Sequence, residues 1–352
     1  MACVYFLNKI SQAMRYFSII LLFTFCVVFF LKKNTAPESV AVTGERASKV
    51  LFQTESQGLA WEDISSGLPK NIDPTSFFYY NAEYLIGTRK GELYRSSSPE
   101  SGNWTYEQIN DPISALAGDY SRLTVSNIFP GRSEVYVYIH SKGIYKKVPG
   151  KPFWWPVFRK NIHKDFPVYD LLETPDGHFY IASESGLYFT KDMGVTWDHL
   201  YAESSVYKIT QTNDLLLAST AKGLMRSVND GQSWQEVLNS PKSTYDIQPV
   251  KDGLIAVRLF GPDDQTPLYL STDNGQTWLP LFSDASQLNG IRQLEQMGNV
   301  LFCTHKGGIS RSSDGGLTWD PVYVLENTAL PIRIKLAVVG QKMSALMINE
   351  GC

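Results

Sequence analysis

Short apolar runs alternate with polar turn residues along most of the chain. Runs such as 179–183, 215–220 and 300–304 are rich in β-branched, aromatic and aliphatic residues and are bounded by Gly, Asp and Asn. This pattern is typical of β-strands. About four such runs fall in each stretch of about forty residues, which is the size of a four-stranded repeat unit. The sequence therefore predicts an all-β protein built from repeated four-stranded units.

One continuous apolar run, Tyr16–Leu31, departs from this pattern and has basic residues on both sides. Its length lies between that of a signal-peptide core and the ~20 residues of a full membrane span. We expect residues 1–33 to form a cytoplasmic tail and an N-terminal transmembrane helix, or else a signal peptide. Residues 34–48 then form a linker to a domain at 49–352. Both interpretations place that domain in the periplasm or the extracellular space, anchored to the membrane or secreted after cleavage.

Composition and charge narrow the range of functions. With 43% hydrophobic residues among 352, the chain can bury a sizeable core. Its net charge of −3 argues against a nucleic-acid partner, because such domains usually carry a basic excess. The 4 cysteines are too scattered for a disulfide framework or a metal site, and we expect no metal and no cofactor.

Four stretches align without gaps: TKDMGVTW from Thr190, SVNDGQSW from Ser227, STDNGQTW from Ser271 and SSDGGLTW from Ser312. We call them the box hairpins. In each, an Asp or Asn carbonyl oxygen can accept backbone N–H groups, Gly allows a positive φ, and Trp can fill the gap between units. A Ca²⁺ site is the weaker alternative, since one carboxylate per turn gives too few hard ligands. The predicted structural residues are Asp192, Trp197, Asn229, Trp234, Asp273, Trp278, Asp314 and Trp319.

Weaker copies of the unit extend the repeat to both ends of the chain. Residues 84–104 and 135–155 keep the strands and the final Trp but have altered turns. Residues 50–61 align with the two outer strands of a unit, and the runs at 332–339 and 342–349 supply two inner strands. We therefore predict a seven-bladed β-propeller. Its ring is closed where N-terminal outer strands pair with C-terminal inner strands, which leaves no free sheet edge.

The box hairpins resemble the Asp-box, or bacterial neuraminidase repeat, and the whole repeat region is similar to that propeller superfamily. The superfamily includes sialidases, xyloglucanases, sortilin-type receptors and photosystem II assembly factors. This resemblance implies that the box hairpins lie away from the ligand-binding face. It also implies that ligands bind where the links between middle strands and the links between blades meet. The motif is specific for the fold and says little about function.

The predicted ligand face carries several cations, and the stretch 141–164 adds more, interleaved with aromatic residues and without any acidic residue. Cations beside aromatic platforms suit anionic glycans, acidic peptides or lipid headgroups. The candidate ligand-binding residues are Arg89, Lys90, Lys142, Trp154, Trp155, Arg159, Lys160, His163, Lys164, Lys222 and Lys306. An alternative interpretation, favoured for Trp154 and Trp155, is that the aromatic residues belong to the blade core and the lysines to a solvated edge.

Catalytic signatures are weak, and we predict no catalytic residue. The early sialidase motif, an aromatic residue followed by Arg, an apolar residue and Pro, is absent from the sequence. An inverting xyloglucanase needs two facing carboxyl groups, and Asp170, Asp263 and Asp264 leave that alternative open. The leading hypothesis is a membrane-anchored, non-catalytic propeller that binds a protein or an anionic polysaccharide. A glycoside hydrolase of sialidase or xyloglucanase type is the second hypothesis.

Overall fold

The computed structural model describes residues 49–80, 83–108, 125–132, 134–139, 142–147, 154–158, 167–212, 215–239, 244–250, 253–260, 268–281, 288, 290–325 and 332–349. Within this part of the chain, strands form seven antiparallel four-stranded sheets, which we number as blades 1 to 7. The all-β, seven-bladed propeller predicted from the sequence is confirmed. No helix among the described residues is long and apolar enough to cross a bilayer, and the predicted anchor at 16–31 lies outside them.

Each blade has four strands, A to D, from the central pore outward. In blade 1, strand A is β27 (Ile332–Val339), strand B is β28 (Lys342–Asn349), strand C is β1 (Leu51–Thr54) and strand D is β2 (Glu62–Asp63). The other blades contain their strands in chain order from A to D. Blade 2 contains β3 (Pro74–Tyr80), β4 (Glu83–Thr88), β5 (Glu92–Ser96) and β6 (Thr105–Gln108), with a 3₁₀ turn at Pro99–Ser101. Blade 3 contains β7 (Val125–Pro130), β8 (Val135–Ile139), β9 (Gly143–Lys147) and β10 (Trp154–Pro156). Blade 4 contains β11 (Val168–Glu173), β12 (Phe179–Ser183), β13 (Gly186–Thr190) and β14 (Asp198–Tyr201).

The remaining blades follow the same order from A to D. Blade 5 contains β15 (Val206–Thr212), β16 (Leu215–Thr220), β17 (Gly223–Ser227) and β18 (Gln235–Asn239). Blade 6 contains β19 (Thr244–Val250), β20 (Gly253–Phe260), β21 (Leu268–Ser271) and β22 (Leu279–Leu281). Blade 7 contains β23 (Gln293–Met297), β24 (Val300–His305), β25 (Gly308–Ser312) and β26 (Asp320–Val324). The B–C and D–A links share one side of the propeller, the link face, and the A–B and C–D turns share the other, the hairpin face.

Blade 1 closes the ring without a covalent link, as predicted. Its strand β1 pairs with β28 in the register Leu51↔Leu346 to Thr54↔Met343. A buried polar contact extends this closure into blade 2, because the Tyr84 hydroxyl lies 2.6 Å from Gln53 Oε1 and 3.1 Å from Ser344 Oγ. The two ends of the propeller are therefore held together by strand pairing and by a shared tyrosine.

Hydrophobic clusters fill the seven gaps between neighbouring blades. The tryptophan that ends each C–D turn joins the cluster shared with the preceding blade, so Trp278 of blade 6 packs with Leu217 and Leu224 of blade 5. The same position is taken by Trp61, Trp104, Trp154, Trp197, Trp234 and Trp319 in the other blades. Burial of these large side chains between blades stabilises the ring by removing apolar area from water.

The box hairpins share one hydrogen-bond pattern, which the hairpin from Ser271 illustrates. The Ser271 hydroxyl donates to Asp273 and accepts from the Gly275 N–H at 2.8 Å. Asp273 also accepts from the backbone N–H and the hydroxyl of Thr277, at 2.9 and 2.5 Å. Equivalent bonds occur in the hairpins of blades 4, 5 and 7. The polar residues that recur in this motif thus form hydrogen bonds with one another and with the backbone of the turn.

Blade 1 forms the same turn without its carboxylate. Thr54 Oγ1 accepts from the Gly58 N–H at 3.1 Å, and Ser56 Oγ accepts from the Ala60 N–H at 2.9 Å. Ser56 therefore takes the place that Asp holds in the box hairpins, as the sequence alignment suggests. A side-chain oxygen at this position is sufficient to order the turn.

Candidate functional site

The seven A strands line the central pore, and polar side chains on them reach from one blade to the next. Thr75 Oγ1 donates to the Val125 carbonyl at 3.0 Å, and Asn127 Nδ2 donates to the Tyr169 carbonyl at 3.5 Å. Asp170 Oδ2 accepts from the backbone N–H of Ile209 at 3.1 Å. Each of these side chains thereby ties its own A strand to the A strand of the following blade.

The same arrangement continues around the pore from blade 5 to blade 1. Lys208 Nζ lies 3.2 Å from Asp246 Oδ1, and Asp246 Oδ2 accepts from the Leu294 N–H at 3.3 Å. The Gln293 side chain both donates to and accepts from the backbone of Leu336, at 2.9 Å in each case. These polar residues of the pore therefore join neighbouring blades to one another.

A local feature of the sequence places these side chains. In β3, β7, β11 and β15 the second residue of the strand has no partner in strand B, so each of these strands begins with a β-bulge. A bulge twists the strand and re-aims the following side chains. Here it brings Asn127, Asp170 and Lys208 to the same level of three successive A strands.

The pore encloses a cavity of about 440 Å³. Four cationic side chains and three carboxyl groups line it, together with aromatic residues of blades 2 to 4. The charged residues are Asp170, Lys208, Asp246, Arg292, Glu295, Arg333 and Lys335. A cavity of this size, with a few converging polar groups, is the usual form of a ligand site.

Burial perturbs the ionisation of the groups in this cavity. Burial and the neighbouring Asp246 carboxylate raise the pKa of Glu295 to about 7. Burial also raises the pKa of Asp170, although Lys208 opposes this effect. Asp246 raises the pKa of Lys208 despite the opposing effect of burial. Burial, followed by the neighbouring cations Arg333 and Lys208, lowers the pKa of Lys335 to about 8. The charge of the cavity therefore changes close to neutral pH.

The candidate cations of the B–C links do lie on the link face, but two of them are paired with acids of the adjacent D–A links. Arg89 Nε lies 2.9 Å from Asp73 Oδ2, and Lys222 Nζ lies 2.6 Å from Glu203 Oε2. Lys90 and Lys306 are exposed on the same face, and Lys142 is half-buried there. Because the D–A links supply carboxylates, the face is less positive than the B–C links alone suggest.

The aromatic part of the candidate set does not form a ligand platform on the link face. Trp154 is 1% exposed within the cluster between blades 2 and 3, so its side chain belongs to the core. Trp155 is 47% exposed on the outer strand β10. We therefore remove Trp154 from the candidate surface. Arg159, Lys160, His163 and Lys164 lie outside the described residues, and their role stays a prediction.

Apart from Asp170, the charged residues inside the pore are not among the candidates predicted from the sequence. Arg333 and Lys335 alternate with Ile334 and Leu336 in β27, and Gln293 and Glu295 flank Leu294 in β23. Charged residues at alternate positions of an innermost strand are the signal that could have revealed them, since one face of that strand packs in the core and the other lies toward the pore.

A second cavity, of about 510 Å³, lies between blades 6 and 7 toward the hairpin face. Its walls are mainly aliphatic, with Val250, Ile255, Leu270 and Leu301 among them. It lacks the converging charged groups of the pore and continues the hydrophobic cluster between these two blades. The pore is therefore the better candidate for a site with chemical specificity.

No protein-family model and no curated protein matches this sequence. Among solved structures, YCF48 from Cyanidioschyzon merolae is similar, with a TM-score of 0.58 and 14% identity over 84% of this chain and 98% of that one. YCF48 bound to D1 peptide has a TM-score of 0.57 and 14% identity over 80% and 95% of the two chains. The GH74 xyloglucanase from Xanthomonas campestris has a TM-score of 0.55 and 14% identity over 79% of this chain and 54% of that one. At these identities the likeness establishes the fold, which YCF48 and the GH74 xyloglucanase share.

Proposed function

We propose that this protein is a non-catalytic binding propeller that captures a protein partner on its link face, around the mouth of the pore. The observation that most directly supports a non-catalytic role is that the pore carboxylates are bonded to neighbouring blades. Asp170 and Asp246 hold backbone N–H groups of neighbouring blades, and Asp246 also pairs with Lys208. Carboxylates fixed in this way serve as scaffold.

The likeness to YCF48 bound to D1 peptide supports a protein partner, because that chain binds a peptide and 95% of its length matches this propeller. We further propose that residues 16–31 tether this protein to a membrane and that the propeller lies outside the cytoplasm. An anionic polysaccharide is the alternative partner, and the same cations would bind it.

Charge reversal on the link face tests the proposed function. The variant Lys90→Glu with Lys306→Glu changes two exposed cations of the B–C links. The control, Lys191→Glu with Lys342→Glu, makes the same change of charge on the hairpin face. Both variants and the wild type are crosslinked in cells of the source organism, purified and compared by mass spectrometry.

Support requires one protein that is crosslinked to the wild type and to the hairpin-face control but is depleted at least about tenfold with the link-face variant, a change of about 1.4 kcal/mol. Equal recovery with both variants contradicts a link-face partner. Release of the signal by glycosidase treatment, instead of by proteolysis, identifies the polysaccharide alternative.

A glycoside hydrolase is the second candidate function, and Glu295 is the observation in its favour. Its pKa of about 7 suits a general acid, and the nearby Asp246, paired with Lys208, could act as the carboxylate base. Glycoside hydrolases use such a pair of carboxyl groups. Incubation with xyloglucan and sialosides tests this function. Sugar release that is lost in both Glu295→Gln and Asp246→Asn would replace the binding proposal, and the absence of release from every glycan would end the hydrolase proposal.

A further inference from the structure

The position of Lys335 inside the pore is not explained by the scaffold role of its neighbours. Lys335 is half-buried in the middle of β27, the A strand of blade 1, and lines the 440 Å³ cavity. Its side chain makes no hydrogen bond or ion pair with any residue that the structure describes. By contrast, Lys208, the other lysine of the cavity, lies 3.2 Å from Asp246.

The groups that face Lys335 come from several blades. Arg333 is two residues away on the same strand, and Lys208 acts across the pore. Tyr79 of blade 2 lines the same cavity. Glu295 of blade 7, Asp246 of blade 6 and Asp170 of blade 4 also line it, but each already has a hydrogen-bond partner: Gln293, Leu294 and Ile209, respectively.

We propose that the pore is a binding site for a carboxylate group, held by Lys335 with Arg333 beside it, and that a partner inserts this carboxylate from the link face. The source of the carboxylate rests on the proposed function, whereas the site itself does not. Among the described residues that line the cavity, four are cationic and three carry a carboxyl group, so one added carboxylate makes the two signs equal in number. An ion pair formed here is screened less by salt than one on the surface.

The surroundings favour a carboxylate over a phosphate. A phosphate group carries ≈ −1.5 to −2 charges at pH 7 and three strong acceptor oxygens, so it requires several donors. Asp170, Asp246 and Glu295 in the same cavity would repel a dianion more strongly than a monoanion. The aromatic residues Phe77, Phe78 and Tyr79 also line the cavity and can pack against the apolar stem of an acidic side chain.

Binding of the carboxylate is linked to the protonation of Lys335. The amine binds an anion in its charged form, which is the main form at pH 7 and the minor form at pH 9 because its pKa is about 8. The affinity is therefore expected to fall about tenfold between these pH values. Ionisation of Glu295 near pH 7 adds a negative charge to the cavity and acts in the same direction. The variant Glu295→Gln separates the two effects.

Lysine NMR and calorimetry with short peptides test the site. The probes are Ac-Ala-Ala-Ala with a free terminal carboxylate, Ac-Ala-Glu-Ala-NH₂, the neutral Ac-Ala-Gln-Ala-NH₂ and inorganic phosphate. The protein is labelled with ¹⁵N-lysine, and the Nζ signal of Lys335 is assigned from its loss in Lys335→Met. We expect one of the two carboxylate peptides to raise the pKa of Lys335 and to bind at least tenfold more tightly than the neutral peptide. Which of the two binds identifies a chain terminus or an acidic side chain as the source.

Lys191→Met, at an exposed lysine of the hairpin face, is the matched control and should bind the carboxylate peptide as the wild type does. Equal binding of the acidic and neutral peptides, binding of phosphate alone, or unchanged affinity in a folded Lys335→Met protein would overturn the proposal. The pKa of Lys335 is followed in the wild type, and the charge-conserving variant Lys335→Arg supplies the assignment of its Nζ signal if Lys335→Met does not fold. If the crosslinking experiment finds no link-face partner but the wild type binds the carboxylate peptide, the proposed function is rejected and the carboxylate site is retained.

Discussion

At the scale of single residues, the box hairpins show how a motif that looks like a ligand site serves as a turn. Hydrogen bonds from the Thr196 and Thr277 hydroxyls and N–H groups lower the pKa of Asp192 and Asp273 to about 2. Those from Thr318 do the same for Asp314 against the opposing effect of burial. The carboxylates are saturated by their own turns, so little of their acceptor capacity is left for a metal or a ligand.

These pKa values predict a sensitivity to acid. A carboxyl group with a lowered pKa in the folded state contributes stability that is complete above its unfolded pKa of about 4 and is lost as the pH falls through about 2. We expect the urea midpoint of the wild type to decrease over this range. The triple variant Asp192→Asn, Asp273→Asn and Asp314→Asn, which copies the natural Asn229, should show a shallower decrease. Parallel curves for the two proteins would contradict this origin of the acid sensitivity.

Met193, the residue before the glycine of the blade 4 box hairpin, is a position where a substitution should stabilise the protein. Met193 has a φ of 56° and is 38% exposed, whereas Asn274 and Gly315 occupy the same position in blades 6 and 7. A left-handed conformation costs a residue other than Gly about 1 kcal/mol, and Asn tolerates it better. Met193→Asn should therefore raise the free energy of unfolding by up to about 1 kcal/mol. The reverse change, Asn274→Met, should lower it by a similar amount in the same urea titration.

At the scale of strands and blades, the sequence predicts more of the fold than of the site. The repeat fixed the register of the hairpins, because a glycine and a tryptophan at set spacing permit few turn geometries. It could not show which neighbouring blade a polar A-strand residue faces, so the pore contacts of Asp170 and Asp246 were not foreseen. The spacing of the repeat predicts the cations of the B–C links but not the D–A acids beside them, so the pairs Arg89–Asp73 and Lys222–Glu203 are seen only in the structure.

Glu295, in the A strand of blade 7, is expected to lower the stability of the folded protein at neutral and higher pH. The pKa of Glu295 is raised to about 7, so its charged form is disfavoured in the folded protein and stability decreases as the pH rises from about 4.5 to 7. Glu295→Gln keeps the acceptor oxygen that Gln293 uses at 2.8 Å. We expect this variant to be more stable than the wild type at pH 8, by on the order of 1–3 kcal/mol, and equally stable at pH 4. A destabilised variant at pH 8 would show that the ionised carboxylate is needed.

At the scale of the whole molecule, ring closure depends on one blade made from both ends of the chain. The Met347 N–H donates to the Val50 carbonyl at 2.8 Å, so the two ends of the propeller lie side by side at the link face. Strand pairing within blade 1 holds them together, whereas neighbouring blades are joined by covalent links, apolar packing and side-chain hydrogen bonds between A strands. The position of the chain ends inside a blade is therefore expected to matter for stability.

Two circular permutants separate the contribution of the split blade from that of blade packing. In both, a short glycine and serine linker joins residue 350 to residue 49. One permutant opens the chain in the B–C link of blade 5, between Ala221 and Lys222, where five residue pairs from Leu216↔Ser227 to Thr220↔Gly223 still join the two halves. The other opens it between blades 6 and 7, at residues 282–287, and leaves no strand pairing there among the described residues, only apolar packing and the Asp246–Leu294 hydrogen bond. We expect the first to unfold at nearly the same urea concentration as the parent and the second at a clearly lower one, with a broader transition, because a gap without strand pairing can open alone. Equal midpoints for the two permutants would show that the apolar clusters suffice and that the split blade adds nothing to closure.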